Sequence, residues 1–354
     1  MTLAFFRDSD ETLLAESVRK SFAACLSGRM PDDETLAPDV VRTVGEQGLV
    51  MPVTGGETGM TLVQAAIVLE EAGRVQLPFP LMESILAATA FDAEGGAPPD
   101  VLLSGQATAS VITLDETSPA WPDFEETAIA AQTARWLVGV LSETAGGGST
   151  ILLENPADRL DIDAAPAFDL TVPLCRVSGD LEAPGNRRIG NDLRSIAYVL
   201  AAADLLGAAS ALFDTSVAYM RDREQFGHPI GSYQALRHRA ADDWVRLEDI
   251  RAAVEYAAAL YDTGLHDAEA DRDTVLEAAR IAKAKASEFA PLIAENAIQY
   301  HGGAGFTWDF GLHFALRRIR RLSLTFGSAD HHYRRIGQAF LAGARDDRRA
   351  TQGA

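Results

Sequence analysis

The chain has 354 residues, 47% hydrophobic and 23% charged, with 51 acidic against 31 basic side chains and a formal net charge of −20. That length supports a large core and more than one domain, and the negative charge excludes nonspecific binding to nucleic acid or an anionic membrane surface. Cys25 and Cys175 lie far apart and match no redox or metal motif, which predicts reduced thiols in a cytoplasmic protein.

Residues 1–92 predict an α-helical domain. Apolar spacing of helical period runs over 11–28 and over TLVQAAIVLEEAG (61–73), with Gly73 placed as a C-terminal stop. The opening MTLAFFRDSDETLLAES lacks the basic-then-apolar order of a secretory signal. FDAEGGAPPD (91–100) reads as a linker. Short runs follow, VLLSG, ASVITLD, TAIAA, WLVGVLSE, STILLEN and LTVPLCRVSG, separated by Gly, Pro and Asp. They predict a reduced β-domain over 93–190.

Residues 191–354 return to long helices, predicted at 191–221, 233–263 and 273–300, then 312–323 and 330–343. Asp204 interrupts the apolar run SIAYVLAAADLLGAASALF, so no membrane span is read there. Pro291 predicts a kink or break in the third long helix. The layout is mostly α with a small β-domain and a C-terminal helical bundle.

Two stretches of this last part could carry chemistry. RDREQFGHPIGSYQALRHRAAD (221–242) places Arg223 at a helix end beside a glycine turn, where a guanidinium offers a fork to phosphate. AIQYHGGAGFTWD (297–309) follows a helix with Gly302, Gly303 and Gly305. Their backbone can approach a ligand closely, and successive N–H groups can form an anion nest. Taken singly, each also suits an ordinary helix end.

In this order the two stretches resemble the acyl-CoA dehydrogenase family of flavoproteins. The R-x-Q-F-G-x-P-I…Q turn stands at 223–234, Q-x-x-G-G-x-G-F at 299–306, and an N-terminal G-L…P…G-G…G…E-E-x-G-R pattern at 48–74. The resemblance covers nearly the whole chain and is weakest over 93–188. It implies an N-terminal helical domain, a middle β-domain and a C-terminal long four-helix bundle at the core of a tetramer. It also implies FAD, an acyl-CoA substrate and an electron-transfer flavoprotein as acceptor. Arg223, Gln225, Phe226, Gln299, Gly302 and Gly303 are then contacts to the diphosphate and adenosine of a neighbouring subunit's FAD.

Departures from the pattern carry as much information. The family's reaction removes an α-proton with a carboxylate while hydride passes to the flavin, and a desolvated Glu suits that task. In most members that Glu lies in a Y-E-G-T turn; an ungapped count puts T-F-G-S (325–328) there, with Phe326 at the Glu position. A minority place it on the first long helix, where this chain has Ala197. Asp204, seven residues on and on nearly the same face, is a weak candidate base; a buried pair with a bundle arginine is its structural alternative. VITLDETSP (111–119) is a remnant of the family's first flavin-ring stretch, and no second stretch is present.

A half-site to lend, without one to use, resembles the non-catalytic subunit of α2β2 acyl-CoA dehydrogenases of bacterial steroid degradation. A partner subunit would supply the catalytic Glu, and the substrate would be steroid-like or otherwise bulky. Two alternatives stay open: a homotetramer using Asp204, and a non-redox scaffold or binding protein of the same fold. The basic run LRRIRRLSLTFGSADHHYRR (316–335) spreads Arg317, Arg318, Arg320 and Arg321 around one helix, so they cannot all face one phosphate. Ion pairing with the chain's own acids or an acidic partner is the competing role. His301 could touch the diphosphate or be structural. His331 and His332 lack metal-ligand spacing, and AGGGST (145–150) reads as a hairpin loop rather than a phosphate loop.

Overall fold

A computed structural model describes residues 7–27, 36–54, 59–114, 123–141, 150–180, 187–189, 192–266, 272–308 and 310–352. Among these residues five helices come first: α1 (Ser9–Cys25), α2 (Pro38–Glu46), α3 (Leu62–Val75), α4 (Leu81–Ala93) and the single turn α5 (Asp100–Leu103). Asp8 and Thr61 cap α1 and α3 in reciprocal capping boxes, satisfying N–H groups the first turn leaves open. Helix α3 runs two residues past Gly73 and closes on Gln76 in the left-handed region. Gly73 serves packing instead: a Cβ there would lie 2.2 Å from the Asp204 carbonyl oxygen. VLLSG is helical at its start rather than a strand, because Pro99 sets the entry and Asp100 favours the first turn's dipole.

Among the described residues seven strands follow: β1 (Ala109–Leu114), β2 (Asp123–Ile129), β3 (Trp136–Leu141), β4 (Thr150–Glu154), β5 (Asp161–Ala165), β6 (Leu174–Asp180) and β7 (Arg187–Ile189). They form two sheets, of order β1-β3-β4-β7 and β2-β6-β5, with β1 parallel to β3 and the other pairings antiparallel. The first sheet is buried on both faces. Val111, Trp136, Val138 and Leu152 join the helical core, while Ile112, Leu114, Leu137 and Ile151 pack with Cys175 and Val177 of the second sheet. Two-sided burial explains why these strands read as short continuous apolar runs. The β3–β4 pairing is antiparallel, and residues 145–149 of the AGGGST segment lie outside the described residues.

Long helices complete the chain: α6 (Arg194–Asp222), α7 (Gln234–His266), α8 (Arg272–His301), α9 (Leu312–Leu324) and α10 (Ala329–Gln352). A two-residue hairpin, β8 (Glu224–Gln225) with β9 (His228–Pro229), separates α6 from α7. By length and composition α6 could cross a membrane, yet 89% of its apolar window is buried inside the protein, so it is the core helix of the bundle. It approaches α3 closely because Gly207 has no side chain; a Cβ there would lie 1.9 Å from the Glu70 carbonyl oxygen. Ion pairs fasten the same region: Glu70 to Arg251 at 2.8 Å and to Arg7, Glu71 to Arg19 at 2.6 Å, and Arg74 to Asp214. Pro291 does not break α8, which stays continuous around it. The ring is buried against the bundle, and tertiary packing outweighs the one helical hydrogen bond it removes.

Candidate functional site

The two sequence motifs meet at one end of the bundle. Helix α6 ends with the Arg223 N–H donating to the Tyr219 carbonyl at 2.8 Å, and Arg223 itself leaves the helix in an extended conformation. The hairpin then turns through Phe226 at φ +54° and Gly227 at φ +84°. The Tyr233 hydroxyl donates to the Gln225 carbonyl at 3.2 Å and braces the turn. Helix α8 ends at His301, and a 3₁₀ segment, Gly302–Phe306, continues with Gly302 at φ +58°. The joint is aromatic: His301 stacks on Tyr219 at 4.2 Å, and Phe310 meets both rings edge-on.

This end is exposed and cationic. Phe226 is 90% and Phe306 77% exposed, and Arg223, Gln225, Gln299, Gly302 and Gly303 also face solvent. Arg221, Arg223, Arg237 and Arg239 have no ion-pair partner among the described residues, unusual in a chain so rich in acids. Nothing lies within 4 Å of a Cβ built on Gly302 or Gly303, so bare backbone fronts open space. Open backbone and uncommitted guanidinium groups fit the diphosphate of FAD. His301 adds no donor to it. Its Nδ1 pairs with the Ala297 carbonyl at 2.8 Å, and with the proton there Nε2 presents only a lone pair. Burial lowers its pKa, which keeps the ring neutral.

A second feature is a cleft of about 570 Å³ where α4, the two sheets and α9 converge. Phe326 lines it, 3% exposed and held at φ +61° in the turn after α9. Ala197 lies fully buried in α6, and Asp204 is bound bidentately by Arg318, with N···O distances of 2.7 and 2.9 Å. A carboxylate so held is ill placed to take a proton from substrate. Residues 115–119 of the VITLDETSP remnant lie outside the described residues.

The basic run is mostly paired within the chain. Arg318 also donates to the Leu77 carbonyl, Arg320 pairs with Glu295, Arg321 with Asp169 at 2.8 Å and Arg334 with Asp330; Arg317 sits over the Phe168 ring. Burial would raise the Asp169 pKa, but the charges of Arg321 and Arg318 outweigh it and hold that carboxyl low.

Sequence reasoning missed two residues. Glu83, in the first turn of α4, lines the cleft at 5% exposure, and burial raises its pKa against the opposing pull of Arg321. Its sequence signal was an acid inside the otherwise apolar LPFPLMESILAATAF. Lys283 is fully buried behind the Phe326 turn and donates to the Ser287 hydroxyl at 2.6 Å and to the Gly327 and Ser323 carbonyls at 3.1 and 3.4 Å. As one of only three lysines it was visible, but nothing marked it as buried.

Comparison with known proteins identifies the chain's relatives. The family model described as "Acyl-CoA dehydrogenase, C-terminal domain" matches residues 198–341. The acyl-CoA dehydrogenase IpdE2 of Mycolicibacterium smegmatis is 30% identical over 316 residues, 88% of this chain and 90% of the relative. Among solved structures, the Tcur3481-Tcur3483 steroid ACAD superposes with a TM-score of 0.77 at 23% identity, covering 95% of this chain and 99% of that one. The ChsE4-ChsE5 complex from Mycobacterium tuberculosis gives 0.74 at 21% identity, with 96% and 99% covered.

Proposed function

The chain belongs to the acyl-CoA dehydrogenase family, and from that premise we propose that it is the FAD-supporting subunit of a heteromeric enzyme whose partner carries the catalytic carboxylate. The observation that carries the reading is a contrast. The end with the glycine loop keeps open backbone and unpaired arginines, while Asp204 is held by Arg318 and the resemblance puts Phe326 and Ala197, neither of them an acid, at the family's base positions.

FAD supplies the hydride acceptor. This chain's part is to bind the far end of that cofactor: Arg223 and the Gly302–Gly303 backbone take the diphosphate, and Gln225, Phe226 and Gln299 flank it. An exposed aromatic at positive φ costs about 1 kcal/mol in backbone strain alone, which suits a residue that docks on another subunit. The proposed substrate is a steroid-like or similarly bulky acyl-CoA, supported by the steroid ACAD and the two-component ChsE4-ChsE5 complex among its structural neighbours. An electron-transfer flavoprotein is the proposed acceptor.

Co-expression with an acyl-CoA dehydrogenase encoded beside it tests the reading. The expected product is a complex of unequal subunits containing FAD, whereas the lone chain retains little flavin and turns over no acyl-CoA. Arg223→Ala with Gln299→Ala in this chain should lower the flavin-to-protein ratio of the complex. A lone chain saturated with FAD and fully active would overturn it.

A further inference from the structure

The turn between α9 and α10 rests on two buried bases. Lys283 of α8 reaches under it to the Gly327 carbonyl at 3.1 Å, the Ser323 carbonyl at 3.4 Å and the Ser287 hydroxyl at 2.6 Å. His332 of α10 is equally buried, its ring edge-on to Tyr198 of α6 at 4.8 Å. A Cβ on Gly327 would lie 2.9 Å from the His331 ring and 3.3 Å from Nε2 of His332, so the turn sits directly on these side chains.

The surroundings favour a neutral Lys283. Its described partners are all uncharged oxygens, and burial alone brings its pKa down to about 7. The charged neighbours that weigh most on the adjoining His332 are cations, Lys283 itself, His331 of α10 and Arg280 of α8; burial outweighs them, and a backbone hydrogen bond with Phe326 opposes them. Acids nearby in sequence are committed elsewhere: Glu288 to the Tyr333 hydroxyl, Glu295 to Arg320 and Asp330 to Arg334. A neutral amine satisfies the three oxygens, because the Ser287 hydroxyl can donate to its lone pair while two N–H groups serve the two carbonyls. One more proton leaves a buried charge with only neutral partners. The walls formed by α6, α8, α9 and α10 are closed by their own helical hydrogen bonds. The turn is not, and it already holds strain, with Phe326 at φ +61°. It is the part that yields when the charge must reach water.

We infer that the Phe326 turn is a proton-driven hinge, closed over the neutral amine of Lys283 and opened when that amine takes up a proton. The closed turn disfavours the proton and the open turn gives Lys283 back its ordinary affinity. Opening therefore gains about tenfold for each unit that pH falls from 10.5 to 7, and levels off once the closed form is protonated too. Phe326 also lines the cleft, so opening shifts one part of that wall.

Hydrogen exchange of the full chain from pH 7 to 9, read by mass spectrometry on peptides covering 324–332, tests the hinge. The reporters are the Gly327 N–H, which donates to the Leu324 carbonyl at 3.1 Å, and the His332 N–H, which donates to the Ser328 carbonyl at 3.2 Å. An open amide exchanges about tenfold faster per pH unit while the opening itself falls about tenfold, so both reporters should stay flat to within about twofold per unit. Amides of the exposed 224–229 hairpin should climb about tenfold per unit over the same range. Lys283→Met removes the proton and should restore that climb at the turn. Lys283→Gln, which keeps an N–H donor without titrating, should do the same and covers the case in which the methionine variant fails to fold. A tenfold climb at the turn of the wild type, a flat profile surviving in a folded Lys283 variant, or turn amides protected as strongly as those of α6 would overturn the hinge. The measurement needs neither flavin nor partner, so its failure leaves the proposed subunit role untouched.

Discussion

Lys283 gives the most demanding prediction. A fully buried ammonium whose described hydrogen bonds all go to neutral oxygens is poorly compensated, and burial brings its pKa from 10.5 down to about 7. The folded state therefore holds fewer protons than the unfolded chain between about pH 7 and 10.5, so stability rises with pH across that window. The slope approaches ~1.4 kcal/mol per pH unit, about 2 kcal/mol between pH 7 and 9. Lys283→Met keeps length and removes the titration. Urea unfolding of both proteins from pH 5 to 9 should show the wild type gaining on the variant by about 2 kcal/mol above pH 7, with a constant difference below pH 6. A difference flat to pH 9 would refute the reasoning and mean that the ammonium has found water or an acid.

Asp204→Asn leaves Arg318 buried without its counter-charge and should cost about 3–5 kcal/mol in chemical unfolding, with or without flavin; a stable variant that loses only turnover would instead mark Asp204 as a base. Gly207→Ala should lower stability by about 2 kcal/mol or more, because the new Cβ meets backbone of α3 rather than a side chain that can move. Gly303→Ala faces open space and should change stability by less than about 0.5 kcal/mol while reducing FAD retained by the complex. His332, fully buried, has its pKa lowered to about 3 by burial and then by the charge of Lys283, so stability should fall as pH drops from 6.5 toward 3. His332→Phe should flatten that acid limb in a pH series of urea midpoints.

Periodicity and punctuation were enough to read the helix–strand–helix order, because 3.6-residue apolar spacing and Gly/Pro breaks are local properties of the chain. The spacing from the Gly305-Phe306 loop to Phe326, and the Arg223 and Gly302 motifs themselves, were likewise legible as strings. Their meeting was not: it depends on Tyr219 stacking on His301 across two helices some eighty residues apart in sequence. Gly73 was misread because local rules weigh the backbone alone, whereas it answers to the Asp204 carbonyl on another helix; likewise the continuity of α8 through Pro291 is carried by bundle packing. That the basic run would pair with the chain's own acids was legible, but not with which: Asp204, Glu295 and Asp169 are distant in sequence. Glu83 and Lys283 were ordinary charged letters, and only burial gave them their chemistry. Desolvation is a property of the surroundings, which sequence spacing does not contain.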